Sequence, residues 1–340
     1  MNRAFRIFVP LLSALLLSNC GASGTSADNF DLSIAQRTQA ANATVQSNAL
    51  CNSISAFTWQ VGDGNGPLAS GTGGSGTPPT ADTSMLIASA SKWLWGAYVV
   101  QLRNGQLTLG DVASLTMNSG YTSLQYSNCL KLLPILQNAE TVQECFNNSG
   151  NNTHSAQYDG KFFYNGGHFQ KYAAVDLGLG GDNNAALQSA IALQIGQDIP
   201  FSYNSPQLAG GAQTTANGYA IFLRKILNNQ LKIHDLLGSN AVCTNPSTCA
   251  TAVYSPVNDP SSPVNTESWH YSLAHWVEDD PTVGDGAYSS TGAFGFYPWI
   301  DKNKTTYGLL ARYSTGAQAS TESLRCGRRI RKAWFSGQQQ

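Results

Sequence analysis

Residues 93–102 carry no charge and are apolar nearly all the way round a helix. A helix without a polar face belongs in a core, so the rest of the chain is predicted to wrap around this segment. Its entrance is Ser89-Ala90-Ser91-Lys92. An offset of three puts Ser89 and Lys92 on one helical face, one above the other. A serine hydroxyl hardly ionises alone, and a neighbouring lysine of depressed pKa can take its proton during attack on a carbonyl. The helix N-terminus adds free N–H groups and partial positive charge, which favour negative charge developing at the serine. The same residues also read as an N-cap with a lysine in a solvated first turn. Two facts favour chemistry: Lys92 is the only lysine with a serine three positions before it, and it is the one charge at the mouth of an uncharged helix.

The chain has 340 residues, 42% hydrophobic and 11% charged, with a net charge of −1. It can bury a large core, and it lacks the basic stripe that nucleic-acid binding requires. Arg3 and Arg6 precede an apolar run, residues 7–17, too short to span a bilayer comfortably. Residues 1–20 therefore read as a secretory signal, and 21–29 as a Gly/Ser/Ala tether. Leu17-Ser18-Asn19-Cys20-Gly21 resembles a bacterial lipoprotein cleavage box, although Asn19 replaces the small residue usual before the cysteine. Lipid anchoring through Cys20 and simple secretion both stay open; either places the protein in the periplasm or cell envelope, or outside the cell. Setting Cys20 aside leaves six of the seven cysteines, an even number suited to an oxidising compartment. Cys243 and Cys249 bracket a turn-forming loop and are paired; Cys129 with Cys145 and Cys51 with Cys326 follow. No C-x-x-C is present and the five histidines have no metal-ligand spacing, so neither a metal nor a cofactor is expected.

In chain order, residues 30–50 read as a helix, 54–61 as a strand and 67–80 as a hairpin return with a surface loop. The apolar helix should stop at Asn104-Gly105. Helical patterns follow at 123–139, 141–146, 167–177, 184–194 and 215–230. Strands return at 269–277, 292–297 and 307–313 before a last helix, 321–334, whose basic run 325–332 reads as a solvated face. The expected fold class is α/β (α+β): an antiparallel sheet flanked by helices, 30–105 and 265–340, with an inserted all-α domain, 106–264, and the site between them.

Several segments together, in order, resemble the serine hydrolases that include class C β-lactamases, D-Ala-D-Ala peptidases and related esterases. Residues 82–92 look like that family's first motif. Gly105-Gln106-Leu107-Thr108-Leu109-Gly110-Asp111 looks like its "G-x-L-x-L-D-D" turn, and Leu115-Thr116-Met117-Asn118-Ser119-Gly120 like its "L-x-H-T-S-G". Leu208-Ala209-Gly210-Gly211-Ala212-Gln213-Thr214-Thr215-Ala216 is similar to the "AGG-x-x-ST" segment that opens a helix. Ser290-Thr291-Gly292-Ala293 stands where the family has Lys-Thr-Gly or His-x-Gly on a strand beside the nucleophile. The resemblance implies the β-lactamase/transpeptidase fold, an acyl-enzyme on Ser89 and a small-molecule or peptide-like acyl substrate.

The family's Tyr-x-Asn element has two candidates. Tyr126-Ser127-Asn128 matches its letters; Tyr164-Asn165-Gly166-Gly167 matches its context before a helix, with Asn165 shifted by one, and is preferred. On this reading Ser89, Lys92 and Tyr164 are catalytic, and Asn165, Ser290, Thr291, Gly292 and Ala293 bind substrate. The activity implied is that of a β-lactamase-like esterase, with a D-Ala-D-Ala carboxypeptidase or β-lactamase as the alternative. A non-catalytic binding protein on the same fold and a histidine-based hydrolase using His168 or His270 remain as rivals.

Overall fold

The computed structural model describes Met1 and residues 32–123, 129–131, 137–148 and 150–340. Cys20, Tyr126 and the tether lie outside the described residues, as does the signal beyond Met1. Ser33–Gln340 form one compact unit.

Its spine is an eight-stranded antiparallel sheet. The strands are β1 (Phe57–Gly62), β2 (Pro67–Gly73), β3 (Val242–Cys243), β4 (His270–Tyr271), β5 (Trp276–Glu278), β6 (Ala287–Ser289), β7 (Tyr297–Ile300) and β8 (Tyr307–Ala311), in the spatial order β3-β4-β5-β6-β7-β8-β1-β2. The N-terminal hairpin thus joins the C-terminal strand, with Thr58 opposite Ala311 and Gly62 opposite Tyr307. All six residues of β1 are buried, which a strand shows only when both faces are covered. Trp59 and Asn42 of α1 (Ile34–Ser47) both border Gly71 of β2, where a Cβ would stand 2.8 and 3.1 Å from them, while Gln60 hydrogen-bonds Asn217 at 3.3 Å on the other side.

Four further helices matter: α2 (Ser91–Leu102), α3 (Asn184–Ile195), α4 (Ala216–Leu227) and α5 (Ala319–Ser336). α1 opens with a capping box between Ser33 and Gln36 and packs with α5 on one face of the sheet. α4 packs on β8 and β1 from the other. Disulfides join Cys51 to Cys326, Cys129 to Cys145 and Cys243 to Cys249, the three expected pairings. The first spans 275 residues and ties the short helix Ala49–Asn52, which follows α1, to α5, a loop long enough to contribute up to ~5 kcal/mol through the unfolded state.

Every residue of α2 from Ser91 to Val100 is buried, as its uncharged sequence requires. Gly96 lets it touch the β4–β5 turn, where a Cβ would stand 2.7 Å from the Leu273 carbonyl oxygen. Trp93 stacks on His275 of that turn with ring centroids 5.6 Å apart. The helix ends where expected, Asn104 and Gly105 both being left-handed (φ 48° and 78°).

Four expectations are corrected. Residues 269–277 form a hairpin rather than one strand, because left-handed Ala274 (φ 61°) turns the chain and Ser272 N–H donates to His275 O at 2.8 Å. Residues 292–297 form the turn after β6, closed by Gly292 N–H on Phe296 O at 2.8 Å, so β7 begins only at Tyr297. In the stretch 123–139, Leu130–Lys131 and Gln137–Asn138 pair antiparallel instead of forming a helix, and Pro134 between them would deny a helix one donor. The basic run is not simply a solvated face, since Arg331 is 1% exposed and bonds Glu278. Helices do form at Val142–Asn147 and Gly167–Lys171, but 106–264 also carries short strands. One set, Met85–Leu86, Ala212–Thr214 and Phe201–Tyr203, makes a small sheet that leads into the Ser89 turn.

Candidate active site

Ser89 occupies a single 3-10 turn, Ala88–Ala90, that runs straight into α2. The turn is entered through Ala88 in the left-handed region (φ 44°), a conformation that costs an alanine about 1 kcal/mol or more. Neighbouring backbone holds it there. Ile87 N–H donates to Ala212 O at 3.1 Å, and Ala90 N–H closes onto Ile87 O at 3.1 Å. Gly292 packs so tightly on this turn that a Cβ would fall 2.1 Å from Ile87 O. Its lack of a side chain therefore serves contact with the Ser89 turn.

One helical turn on, Lys92 Nζ lies 2.9 Å from Ser89 Oγ and donates to the Ala209 carbonyl at 2.7 Å. Lys92 is 4% exposed, and burial brings its pKa down to about 7, because a buried ammonium loses hydration that neutral oxygens only partly replace. Among the described residues no carboxylate forms an ion pair with it. The segment holding Ala209 does open a helix, since Thr215 caps α4 by accepting from Gly218 N–H at 2.9 Å. It also anchors the serine turn, with Ala212 N–H donating to Ser91 Oγ at 3.1 Å. The sequence pattern shows neither duty, because the Ala209 carbonyl and the Ala212 N–H are backbone groups that any residue would supply.

Tyr164 sits between the short strand Phe162–Phe163 and the helix Gly167–Lys171. Its ring stacks on Trp276 (centroids 5.2 Å apart, planes at 18°), and Lys92 Nζ stands 4.9 Å from its centroid. Burial raises its pKa well above the usual phenol value, while hydrogen bonding with Ser89 and Trp276 pulls in the opposite direction. Ser89, Lys92 and Tyr164 thus come together.

The remaining predicted residues are placed differently. Asn165 Nδ2 donates to Tyr121 O at 2.8 Å and its Oδ1 accepts from Gly167 N–H at 2.6 Å, so both ends of the amide are engaged with backbone. Ser290 is buried and its hydroxyl donates to the Ser89 carbonyl at 3.0 Å, fixing the main chain at Ser89. Thr291 Oγ1 is shielded from solvent and has no hydrogen-bond partner among the described residues, and Ala293 is exposed on the turn. His168 is locked: Nδ1 accepts from Ser119 N–H at 3.3 Å with Ser119 Oγ at 2.8 Å, and Nε2 donates to Phe163 O at 2.9 Å. Burial lowers its pKa to about 4, so it is neutral. His270 bonds Asp279 at 2.8 Å on a partly exposed strand. Two surface clefts beside α1, one lined by Gln36 and Gln339 and the other by Gln46, Asn52 and Thr72, hold no ionisable group and do not include Ser89.

Among solved structures, the chain is similar to EstCE1, a hydrolase with promiscuous acyltransferase activity, at 11% identity over 89% of this chain and 98% of that one (TM-score 0.60). It is similar to the octameric penicillin-binding protein homologue of Pyrococcus abyssi, at 13% identity over 84% and 74% (TM-score 0.57). A β-lactamase of Mycobacterium bovis matches at 15% identity over 83% and 95% (TM-score 0.51). Neither a family model nor a curated protein matches the chain in sequence. The fold is therefore that of the β-lactamase/transpeptidase-like serine hydrolases.

Proposed function

From that fold as premise, we propose that the protein is a serine hydrolase that forms an acyl-enzyme on Ser89 and hydrolyses ester or amide bonds. The observation that carries this reading is the pair Lys92 and Ser89, 2.9 Å apart, with a lysine that forms no ion pair among the described residues and has a pKa of about 7. An amine of that pKa is neutral for part of the time near neutrality, and it then has a lone pair for the serine proton. Ser89 Oγ attacks the substrate carbonyl, Lys92 with Tyr164 takes the proton and returns it to the leaving group, and water then hydrolyses the ester so formed. The backbone N–H groups of Ser89 and Ala293 form the oxyanion site, worth ~3 kcal/mol per donor.

Substrate choice follows from Ser290, where the resembling family carries a lysine or histidine and this chain, as at Thr291 beside it, offers only a hydroxyl. A substrate carboxylate losing its water there would find no counter-charge. Arg312 does not supply one, since its guanidinium is bonded to Ser55, Ser323, Ala319 O and Glu322. Short-chain or aryl esters and uncharged amides are therefore preferred over penicillins and peptides ending in D-Ala-D-Ala. The three disulfides support export; whether Cys20 carries a lipid is a separate part of the proposal.

Labelling with a fluorophosphonate followed by peptide mapping tests the reading. An adduct on Ser89 is expected, and an adduct on another serine, or none, would overturn it. Comparison of kcat/KM for p-nitrophenyl acetate and a chromogenic cephalosporin tests the substrate class. Efficient cephalosporin hydrolysis would remove the argument from missing charge.

A further inference from the structure

Gln170, in the helix Gly167–Lys171, is 1% exposed, and a buried amide is stable only when its polar atoms are paired. Its Nε2 donates to Val142 O at 3.0 Å and to Pro206 O at 2.8 Å, and its Oε1 accepts from Leu208 N–H at 3.2 Å. Both amide hydrogens are thereby used. The amide has one workable orientation: turned over, it would set its NH2 against an N–H and its oxygen against two carbonyls.

Pro206 and Leu208 belong to the tip of a hairpin. Phe201–Tyr203 pairs with Ala212–Thr214, and residues 204–211 join the two strands. The tip is closed by Gly211 N–H on Gln207 O and by Asn204 N–H on Gly211 O, both at 2.8 Å. Ala209 lies inside this turn, and its carbonyl accepts from Lys92 Nζ at 2.7 Å. On one side of Ala209 the backbone is tied to the Ser89 turn, since Ala212 bonds both Ile87 N–H and Ser91 Oγ. On the other side it is tied by Gln170, whose last bond falls on the residue before Ala209. The glutamine's own helix is the one that Tyr164 leads into, and Gln170 N–H closes on Gly166 O at 3.0 Å. A carbonyl can hold an amine in place only if its own peptide is held, and here both flanks are.

We propose that Gln170 is a positioning residue for Lys92: it pins the backbone at Pro206 and Leu208, so that the Ala209 carbonyl holds the lysine amine on Ser89 Oγ. This rests on the Ser89–Lys92 reading above and adds to it a residue that reaches the lysine through backbone.

The test is a double-mutant cycle. kcat and KM for p-nitrophenyl acetate are measured for the wild type, Gln170→Met, Lys92→Met and the double variant, each with a thermal melt. Methionine fills much the same space and makes none of the three bonds, so kcat should fall about tenfold, the scale of one lost hydrogen bond, with KM within about twofold. In the Lys92→Met background the same substitution should change kcat by less than about twofold, because the group it acts through is gone. Equal losses in both backgrounds would make Gln170 a packing residue and overturn the proposal, as would a wild-type kcat in Gln170→Met.

The pH profile separates positioning from stability. Lys92 faces Ser89 Oγ, the Ala209 carbonyl and the Tyr164 ring, and no carboxylate forms an ion pair with it among the described residues. An ammonium that loses the Ala209 carbonyl loses one of its acceptors, so the acid limb of kcat/KM should move to lower pH in Gln170→Met. A limb that stays in place or moves up would overturn the proposal. Glu278→Leu, which breaks the ion pair with Arg331 instead, should lower the melting temperature and leave the limb unmoved; a limb displaced there as well would overturn it too. Gln170→Asn covers the case in which methionine unfolds the helix, since the shorter amide stays polar but cannot reach all three partners. A loss of kcat is expected there, and wild-type kcat would overturn the proposal. A wild-type kcat in Lys92→Met would instead remove the lysine from the chemistry and take this proposal with it. The silent single variant therefore tells the two failures apart.

Discussion

Lys92 and Arg331 are both nearly sealed from water, at 4% and 1% exposure, and they are opposite in electrostatic design. Arg331 bonds Glu278 at 2.8 Å, Asp285 at 2.7 Å and Tyr297 at 2.6 Å, and Glu278 also takes Arg328 at 2.9 Å. Burial alone would push the Glu278 carboxyl up, but Arg331 and Arg328 outweigh it and hold the pKa at about 2. Lys92 has only a hydroxyl and a carbonyl, and burial prevails. The network between β5 and α5 compensates its buried charge for the sake of structure. The pair at the start of α2 leaves its charge uncompensated, which gives an amine that can exchange a proton near neutrality.

The largest expected effect separates the two regions outright. Ser89→Ala should abolish hydrolysis and acyl-adduct formation, and Lys92→Met should lower kcat/KM by ~10³-fold or more. Lys92→Met should leave the melting temperature unchanged or raise it, because it removes a buried cation that had no counter-ion. A melting temperature reduced as far as by loss of Glu278 would break the comparison. pH acts in the same sense. The Lys92 pKa falls from 10.5 in the unfolded chain to about 7 in the folded one, so between these values unfolding takes up a proton and stability rises with pH. Activity should rise on the way up through about pH 7, as the amine becomes a base; a rate independent of pH from 5 to 9 would exclude Lys92 from that part.

On the other side, Glu278→Leu strips buried Arg331 and half-buried Arg328 of a shared partner and should cost ~3–5 kcal/mol in denaturant unfolding, with kcat per folded molecule retained. The Glu278 pKa is lowered from 4.5 to about 2, so its contribution is present above pH 4.5 and is lost as pH falls toward 2. Acid stability in that window should therefore be weaker in the variant only by what has already been removed, and its curve should be flatter than the wild type's.

Legibility in the sequence followed the same division. Ser89 and Lys92 are three residues apart on one helix, so their meeting is a local consequence of helical geometry. Cys243 and Cys249 likewise announce their pairing across one short loop. Glu278 and Arg331 stand 53 positions apart, and nothing in a basic helical run says that one of its faces will turn inward onto a carboxylate. Ala209 reaches Lys92 through a carbonyl, and Ser290 reaches Ser89 through its main chain, so side-chain patterns could show neither. The strands misread at 269–277 and 292–297 were apolar runs whose turns rest on single residues, Ala274 with positive φ and Gly292 with its N–H on Phe296. The alternation of apolar residues continues through such turns undisturbed.

A middle-sized effect sharpens the comparison within the site. Tyr164→Phe should slow turnover ~10²-fold, the scale for loss of a general acid/base, while Tyr126→Phe should not. The reverse result would move the role to Tyr126, and small equal effects would leave Lys92 alone with the proton.

The smallest effect is the most discriminating for the boundary between chemistry and scaffold, because it concerns a serine only two positions from the proposed nucleophile. Ser91 is fully buried, and its hydroxyl oxygen accepts the Ala212 N–H at 3.1 Å. Three positions beyond it stands Leu94, which offers no base. Ser91→Ala would leave a buried backbone donor without a partner, a loss of ~1–2 kcal/mol, and would loosen the segment that presents the Ala209 carbonyl to Lys92. Since Ile87 N–H still holds Ala212 O, that segment should stay in register. Denaturant unfolding should therefore show the loss of stability, while kcat/KM for p-nitrophenyl acetate stays within about threefold of the wild type. If hydrolysis fell instead as far as in Ser89→Ala, the proton network would extend through Ser91, and compensated scaffold and uncompensated chemistry could no longer be told apart at the start of α2.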